Sequence, residues 1–231
     1  SRGVKVSEEE LKRQGEFMVE VIRKGRLSMM HISGGETGLY LKAMYPGLFY
    51  AGGFVPWSCE THLLPNVDWT SYIDALVEAG FDGVGEMGSK PCPKEKHAPL
   101  DSEYYRGFWE RCESIGFPVL CHVADPEEFW DEKTAPEWAK KRNWVYYRGD
   151  YPSKEELCRE MENVLERHPN LKIVFCHFYF MSADLETAAD FLGDCGNANF
   201  DLALGIELMY NISRRRDDWR DFFIKFQDRI L

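Results

Sequence analysis

Apolar and polar positions along the chain change repeatedly between a helical spacing and short continuous apolar runs. Residues 7–25 carry apolar side chains at helical spacing, and Ser7 with Glu10 fits a capping box at the start of that helix. Short apolar runs then predict six strands, which begin near Leu27, Leu48, Phe81, Phe117, Leu171 and Asn199. A seventh run begins at Arg229. Strand and helix therefore alternate after an initial helix.

Helical patterns separate the strands. They cover residues 34–46, in part as a loop, and residues 68–80, 101–116, 153–169, 182–195 and 214–228. Ser153 with Glu156 fits a capping box at the start of 153–169. Apolar strands joined by helices predict a parallel sheet whose outer face the helices cover. The order predicts an α/β fold, a TIM-like (β/α)₈ barrel that lacks its first strand and most of its last. No repeat, low-complexity stretch or linker divides residues 1–231, so we expect a single, incomplete barrel domain.

One connection is longer than the rest. Residues 125–152 separate a strand from the next helix, whereas most connections in α/β units have roughly 2–6 residues. The segment is rich in Trp and Tyr and includes Arg148. It is either a surface excursion held by its own aromatic cluster or a lid over a substrate. Its place after a strand's carboxyl end, where barrels carry their active sites, favours the lid.

The charge balance excludes some classes of partner. The chain has 231 residues, 44% of them hydrophobic, and a formal net charge of −11. An acidic surface repels phosphate backbones and anionic lipid, so neither nucleic acid nor membrane is an expected partner. No apolar run is long enough for a membrane span, and no secretory segment is recognisable. The expected partner is a small-molecule substrate, and a homo-oligomer is left open.

The cysteines indicate a compartment. Seven cysteines are spread widely, and none of them form a CxxC pair. An odd number of scattered cysteines in a chain of this length predicts reduced thiols in a cytoplasmic protein. We therefore expect each of the seven to be a small buried hydrophobic residue.

Two histidines stand at the carboxyl ends of apolar strands. Residues 117–124 (FPVLCHVA) carry His122 near their end, and residues 171–178 (LKIVFCHF) carry His177 near theirs. Because neighbouring side chains of a strand face opposite sides, we expect both histidines at the barrel mouth and the preceding Cys121 and Cys176 in the outer core. Two imidazoles at one rim suit a divalent metal such as Zn²⁺, or an acid/base group beside it. The alternative is two hydrogen-bonded core histidines.

Other residues carry weaker signals. His31 also lies near a strand end, but its phase in the strand is open. Glu86 with Lys90 follows a strand, where a structural ion pair or a solvated loop is favoured over a functional role. Asp201 faces the barrel mouth or caps a neighbouring strand.

Four stretches resemble the amidohydrolase-related family of metal-dependent hydrolases and non-oxidative decarboxylases. They are FPVLCHVAD (residues 117–125), residues 151–178, NANFDLALG (residues 197–205) and FQDRIL (residues 226–231), within a likeness that covers about residues 80–231. The most specific piece is HPNLKIVFCH (residues 168–177). The resemblance implies a barrel with a divalent metal, commonly zinc. It implies that His122 is a metal ligand. It also implies that His177 is a catalytic acid/base and, in two-metal relatives, a ligand as well.

The chain also departs from that family. The family's HxH or ExH motif on the first strand and its catalytic Asp after the last strand have no counterpart here. Since catalytic zinc has about three protein ligands, we expect weak metal binding and little turnover from residues 1–231 alone. The function expected is hydrolysis or decarboxylation of a small aromatic or carboxylated compound, with Trp57 and Arg148 as substrate-binding candidates. A catalytically silent barrel used for binding or assembly is the alternative.

Overall fold

Six parallel strands form one sheet in chain order. They are β1 (Met30–Ser33), β2 (Phe49–Gly53), β3 (Gly83–Ser89), β4 (Val119–Val123), β5 (Ile173–Phe175) and β6 (Ala198–Phe200). The computed structural model describes residues 7–33, 35–203 and 205–231. Gly34 in the predicted loop after β1 and Leu204 in the predicted strand 197–205 lie outside the described residues. Every predicted strand is confirmed, and each begins within three residues of its expected start.

Helices connect the strands on one face of the sheet. They are α1 (Glu8–Gly25), α2 (Glu36–Met44), α3 (Trp69–Glu78), α4 (Glu103–Ile115), α5 (Glu137–Lys141), α6 (Lys154–Arg167), α7 (Leu185–Asp194), α8 (Ile206–Arg214) and α9 (Arg216–Lys225). The sequence pattern did not predict α5 or α8. Parallel strands with helices on their outer face form a (β/α) barrel arrangement, which confirms the predicted fold class.

The sheet is open in the described part of the chain. Each strand pairs with its neighbour in sequence, and β1 and β6 form the two edges. Beyond β6, Phe200 makes one parallel bridge to Ile230, where the seventh run was predicted. No helix in the described ranges combines the length and the apolar character that crossing a bilayer requires.

Helix ends follow the capping residues in the sequence. Ser153 accepts a hydrogen bond from the backbone N–H of Glu156, whose side chain accepts one from Ser153 N, so the predicted capping box is confirmed. Ser7 caps α1 through the N–H of Glu10. Gly116 ends α4 with φ of 65°, a conformation that suits a residue without Cβ. These local signals set where the chain leaves each helix to enter the next strand.

The main core lies between the sheet and the helices. Outward-facing strand residues such as Val119, Cys121 and Phe175 pack against helix residues such as Trp109 and Met161, all almost fully buried. Apolar burial on this scale is the dominant favourable term in folding. Because the core lies on the outer face, the inner face of the sheet remains available to polar side chains.

One cysteine prediction is wrong. Cys59 and Cys92 form a disulfide, with their Cα atoms 6.2 Å apart. It joins the segment after β2 to the segment after β3, which parallel pairing of those strands brings side by side. Cys112, Cys121, Cys158, Cys176 and Cys195 are free, as expected. The sequence could not predict this disulfide, because the two cysteines are far apart along the chain and disulfide formation depends on the distance between them in the folded protein.

Candidate metal centre

The inner face of the sheet borders a cavity of about 610 Å³. Alternation along the strands turns His31, Tyr50, Glu86, Leu120 and Val174 toward it. Its walls are largely apolar, and the polar groups gather at the carboxyl ends of the strands. A concave apolar space with a few convergent polar groups is the usual form of a small-molecule site.

Glu86, His122 and His177 converge at the rim of this cavity. One ligand atom from each lies within 4.8 Å of the other two. Glu86 Oε1 is 2.7 Å from His122 Nδ1, and the two imidazole rings have centroids 5.1 Å apart. The structure therefore brings together the two histidines that the sequence singled out. It adds a carboxylate that the sequence assigned to a loop or an ion pair.

Strand geometry explains how Glu86 reaches the centre. Glu86 lies inside β3, so the interpretation as a solvated loop is wrong. The pairing of β3 with β4 shifts register between Val84 and Met87, and such irregularities change the direction of a side chain. The available signal in the sequence was a carboxylate inside an otherwise buried, Gly-rich strand.

His177 reaches the rim by a different route from the one predicted. β5 ends at Phe175, and His177 lies in a tight turn with φ of 54°. Cys176 continues the inward phase of Val174 and lines the same cavity as His177. The expectation that Cys176 faces the outer core is therefore wrong, because the turn at His177 breaks the alternation. The expectation holds for Cys121, which packs in the outer core.

His122 is buried among hydrogen-bond acceptors. Nδ1 faces Glu86, Nε2 is 3.1 Å from the carbonyl oxygen of Ala124, and Asp125 Oδ1 lies 3.7 Å from Nε2. Burial alone lowers the pKa of His122, but the nearby carboxylates of Asp125 and Glu86 outweigh burial and raise it. The carboxylates of Asp125 and Glu86 therefore favour positive charge at this position.

The pKa of Glu86 moves in the opposite direction. Burial raises the pKa of this carboxyl, but the hydrogen bond and charge of His122 outweigh burial and lower it. Glu86 is therefore an ionised acceptor near neutral pH. An ionised carboxylate beside two imidazoles is the ligand set of His₂Glu zinc sites.

The hydrogen bonds leave Nε2 of His177 available for a metal, whereas a metal at Nδ1 of His122 would replace the hydrogen bond from that atom to Glu86. His177 Nδ1 is 3.1 Å from the carbonyl oxygen of Ala203, which leaves Nε2 free. When His122 Nε2–H donates to Ala124, Nδ1 beside Glu86 is the ligand atom. Metal-binding histidines usually donate their second N–H to a carbonyl or carboxylate in this way. The donor set and the surrounding hydrogen bonds therefore fit a divalent cation.

Trp57 lies next to the centre. Its ring centroid is 5.3 Å from that of His122, and Nε1 donates to the backbone oxygen of Glu86 at 3.0 Å. Trp57 thereby covers one side of the His122 ring. Arg148, in contrast, is 64% exposed and lies 3.5 Å from Glu132. Its predicted contact with substrate stays a prediction.

Two further polar residues line the cavity. His31 fits against β2 and β3 because Gly52 and Gly85 have no side chain at its ring, and burial lowers its pKa. Burial raises the pKa of Asp201, which accepts hydrogen bonds from the backbone. The remaining three histidines lie outside the cavity. His97 pairs with Glu160 and His168 with Glu113, while His62 is exposed.

Residues 125–152 pack on themselves beside the centre. Phe129, Ala139, Val145 and Tyr146 form a small core of their own, which contains α5. The hydroxyl of Tyr146 donates to Asp125, so this core is tied to the end of β4. The aromatic cluster foreseen for the segment is present, and movement as a lid stays a prediction.

Comparisons with known proteins identify the family and the fold of the chain. A family model described as "Amidohydrolase" matches residues 59–230. An uncharacterized TIM-barrel protein from Bordetella bronchiseptica matches 99% of the chain at 12% identity, with a TM-score of 0.55. The structure of 4-oxalomesaconate hydratase from Rhodopseudomonas palustris matches 89% at 15% identity, with a TM-score of 0.54. At these identities the two structures show a shared barrel fold.

The chain is shorter than both structures. It spans 72% of the Bordetella protein and 66% of the hydratase. A comparison with curated proteins gave no match. Substrate and reaction therefore have to be argued from the site.

Proposed function

Because the chain belongs to the amidohydrolase family, we propose that it is a metal-dependent enzyme that hydrolyses or decarboxylates a small organic compound. The observation that carries the proposal is the convergence of Glu86, His122 and His177 within 4.8 Å. Two imidazoles and a carboxylate supply the roughly three protein ligands of catalytic zinc, so we propose Zn²⁺ as the metal. Such a metal supplies Lewis-acid polarisation of a substrate oxygen and activation of water.

The surrounding residues prepare the centre for this role. Ala124 and Ala203 accept the second N–H of His122 and His177, which fixes the orientation of both rings. Trp57 excludes water from one side of His122. The cavity beside the centre has mostly apolar walls, which supports a small substrate with an apolar or aromatic body.

His177 has two candidate roles that use the same atom. The lone pair of Nε2 either binds the metal or accepts a proton, and it cannot do both at once. The position of His177 in the three-residue cluster supports the ligand role. The acid/base role is the second candidate, and metal content separates the two.

Zinc titration of the protein tests the proposal. We expect about one equivalent of Zn²⁺ by calorimetry and elemental analysis. We also expect at least a tenfold loss of affinity, about 1.4 kcal/mol, in Glu86→Gln and His122→Ala. His62→Ala, which removes an exposed histidine outside the cavity, is the matched control. Wild-type protein that binds no zinc, or variants that bind it as tightly as the control, contradict the proposed centre.

His177→Ala assigns the role of His177. Loss of zinc affinity identifies a ligand. Retained zinc with lost turnover of a panel of aromatic esters, lactones and carboxylic acids identifies the acid/base. Little turnover by residues 1–231 alone stays a prediction, as does a cytoplasmic location, which cell fractionation tests.

A further inference from the structure

Four consecutive residues after β5 adopt the left-handed conformation. His177, Phe178, Tyr179 and Phe180 have φ values of 54°, 59°, 52° and 49°, and none is glycine. Residues with a Cβ pay roughly 1–2 kcal/mol each in this conformation. Contacts elsewhere must therefore hold the turn in place.

Aromatic packing holds one side of the turn. Phe178 is fully buried against Phe200, with ring centroids 4.7 Å apart. Tyr179 stacks on Phe175 at 4.2 Å. The left-handed turn lets these two side chains enter the outer core, and it places His177 on the inner face of the sheet. Packing therefore explains the reversal but leaves the orientation of the imidazole open.

Asp201 holds the other side of the turn. Its Oδ1 atom accepts the backbone N–H of His177 at 2.6 Å and the backbone N–H of Ala203 at 3.0 Å. Its own backbone oxygen accepts the N–H of Phe178 at 3.1 Å. One half-buried carboxylate thus joins the turn to the segment that follows β6.

The carboxylate of Asp201 also positions the carbonyl group that accepts a hydrogen bond from the His177 imidazole. Ala203, held through its N–H by Asp201, presents its carbonyl oxygen 3.1 Å from His177 Nδ1. A carbonyl only accepts hydrogen bonds, so Nδ1 carries the proton, and in the neutral imidazole Nε2 carries the lone pair.

We propose that Asp201 is a positioning residue that holds His177 in the Nδ1–H tautomer by fixing both its backbone and the Ala203 carbonyl. The consequence for metal binding rests on the proposed function, whereas the tautomer itself does not. Removing the carboxylate releases Ala203 and lets the His177 ring exchange between tautomers. The Nε2 lone pair is then present only part of the time.

Nitrogen NMR of the metal-free protein tests the proposal directly. Long-range ¹⁵N–¹H spectra at pH 8 report the tautomer of each histidine, and His177→Gln assigns the His177 signals. We expect the Nδ1–H form in wild type and a mixture in Asp201→Ala. A wild-type His177 in the Nε2–H form overturns the proposal without any variant.

Two further variants make the comparison specific. Asp184→Ala removes a carboxylate that caps α7 through Thr187 N at 3.0 Å, and we expect the His177 spectrum of wild type. Asp201→Asn keeps an oxygen acceptor, and we expect it to restore the Nδ1–H form. A folded Asp201→Ala protein with the wild-type tautomer overturns the proposal. If Asp201→Ala does not fold, Asp201→Leu, which keeps a side chain of similar size but has no acceptor, replaces it, and the wild-type tautomer in that variant overturns the proposal.

Zinc affinity provides the second readout. Loss of a group that orients a metal-binding histidine typically weakens metal binding 10–100-fold. We expect a loss of that size in Asp201→Ala and none in Asp184→Ala. If wild type binds no zinc, the proposed function fails, and the tautomer measurement still decides the role of Asp201.

Discussion

The hydroxyl of Tyr146 donates a hydrogen bond to Asp125, whose other carboxylate oxygen lies 3.7 Å from His122 Nε2. This contact links the 125–152 segment to a residue of the candidate metal centre. Asp125 is 4% exposed, so its oxygens cannot turn to bulk water when a donor is lost. Lys90, 3.7 Å from Asp125 Oδ1, is the other charged neighbour on this side.

Tyr146→Phe should destabilise the protein by about 1–3 kcal/mol, because it leaves a buried carboxylate without its donor. Urea denaturation measures the loss, and hydrogen exchange should show faster opening of residues 125–152. The control is Tyr147→Phe, since the buried hydroxyl of Tyr147 has no hydrogen-bond partner. Equal losses in the two variants would show that the Tyr146 hydrogen bond is not the source.

Gly88→Ala should weaken both the sheet and the metal centre. Gly88 pairs with His122 across β3 and β4, and a Cβ at residue 88 would collide with the carbonyl oxygen of His122. The new Cβ belongs to one strand and the carbonyl to the backbone of the other, so no flexible side chain can move aside. We therefore expect the free energy of unfolding to fall by at least about 2 kcal/mol and zinc to bind more weakly. Thermal unfolding and zinc titration measure these effects.

Gly193→Ala is the matched control for that substitution. Gly193 lies in α7 with open space around it, and alanine in a helix is favoured over glycine by roughly 0.5–1 kcal/mol. We expect this variant to be slightly more stable than wild type. A Gly88→Ala protein that behaves in the same way contradicts the close approach of β3 and β4.

The disulfide between Cys59 and Cys92 should be measurable by thiol counting. We expect five reactive thiols in unreduced, denatured protein and seven after reduction. The cysteines are 33 positions apart, and closing a loop of that length stabilises a protein by roughly 3–4 kcal/mol. Cys59→Ser should lose about this amount, whereas Cys158→Ser should lose less. Seven reactive thiols before reduction would show that the two cysteines are not bonded.

Glu113→Gln should remove part of the acid sensitivity of folding. Burial raises the pKa of Glu113, but the hydrogen bonds from His168 and Asn170 outweigh burial and lower it. A carboxyl with a lowered pKa stabilises the fold above its ordinary pKa of about 4.3 and loses that contribution as the pH falls through the folded value. Wild type should therefore be more stable than Glu113→Gln at pH 7.

The stability difference between the two proteins should shrink as the pH falls from about 5 to 3, because wild type is then protonated as well. Urea denaturation across this range measures it. Glu103→Gln, which changes an exposed glutamate at the start of the same helix, is the control. A difference that does not change with pH would contradict the lowered pKa.

The order of helices and strands could be read from the sequence because it depends on local patterns. Apolar runs marked β4 and β5, and Ser153 with Glu156 marked the start of α6. The position of His122 at the end of β4 followed from the same pattern. Parallel pairing then brings neighbouring strand ends to one rim, so His122 and His177 could be predicted to meet.

What the sequence by itself determined is the succession of elements, the barrel class and the two histidines at strand ends. The tertiary structure decided the third ligand candidate, the disulfide and the reversal of the chain at His177. Glu86 and His122 are 36 positions apart, and their contact depends on a register shift that no local pattern encodes. The left-handed turn exists because Phe178 and Tyr179 are buried on one side while Asp201 binds the backbone on the other. Such long-range contacts outweigh the local preference of four residues, and they are formed only when the chain is folded.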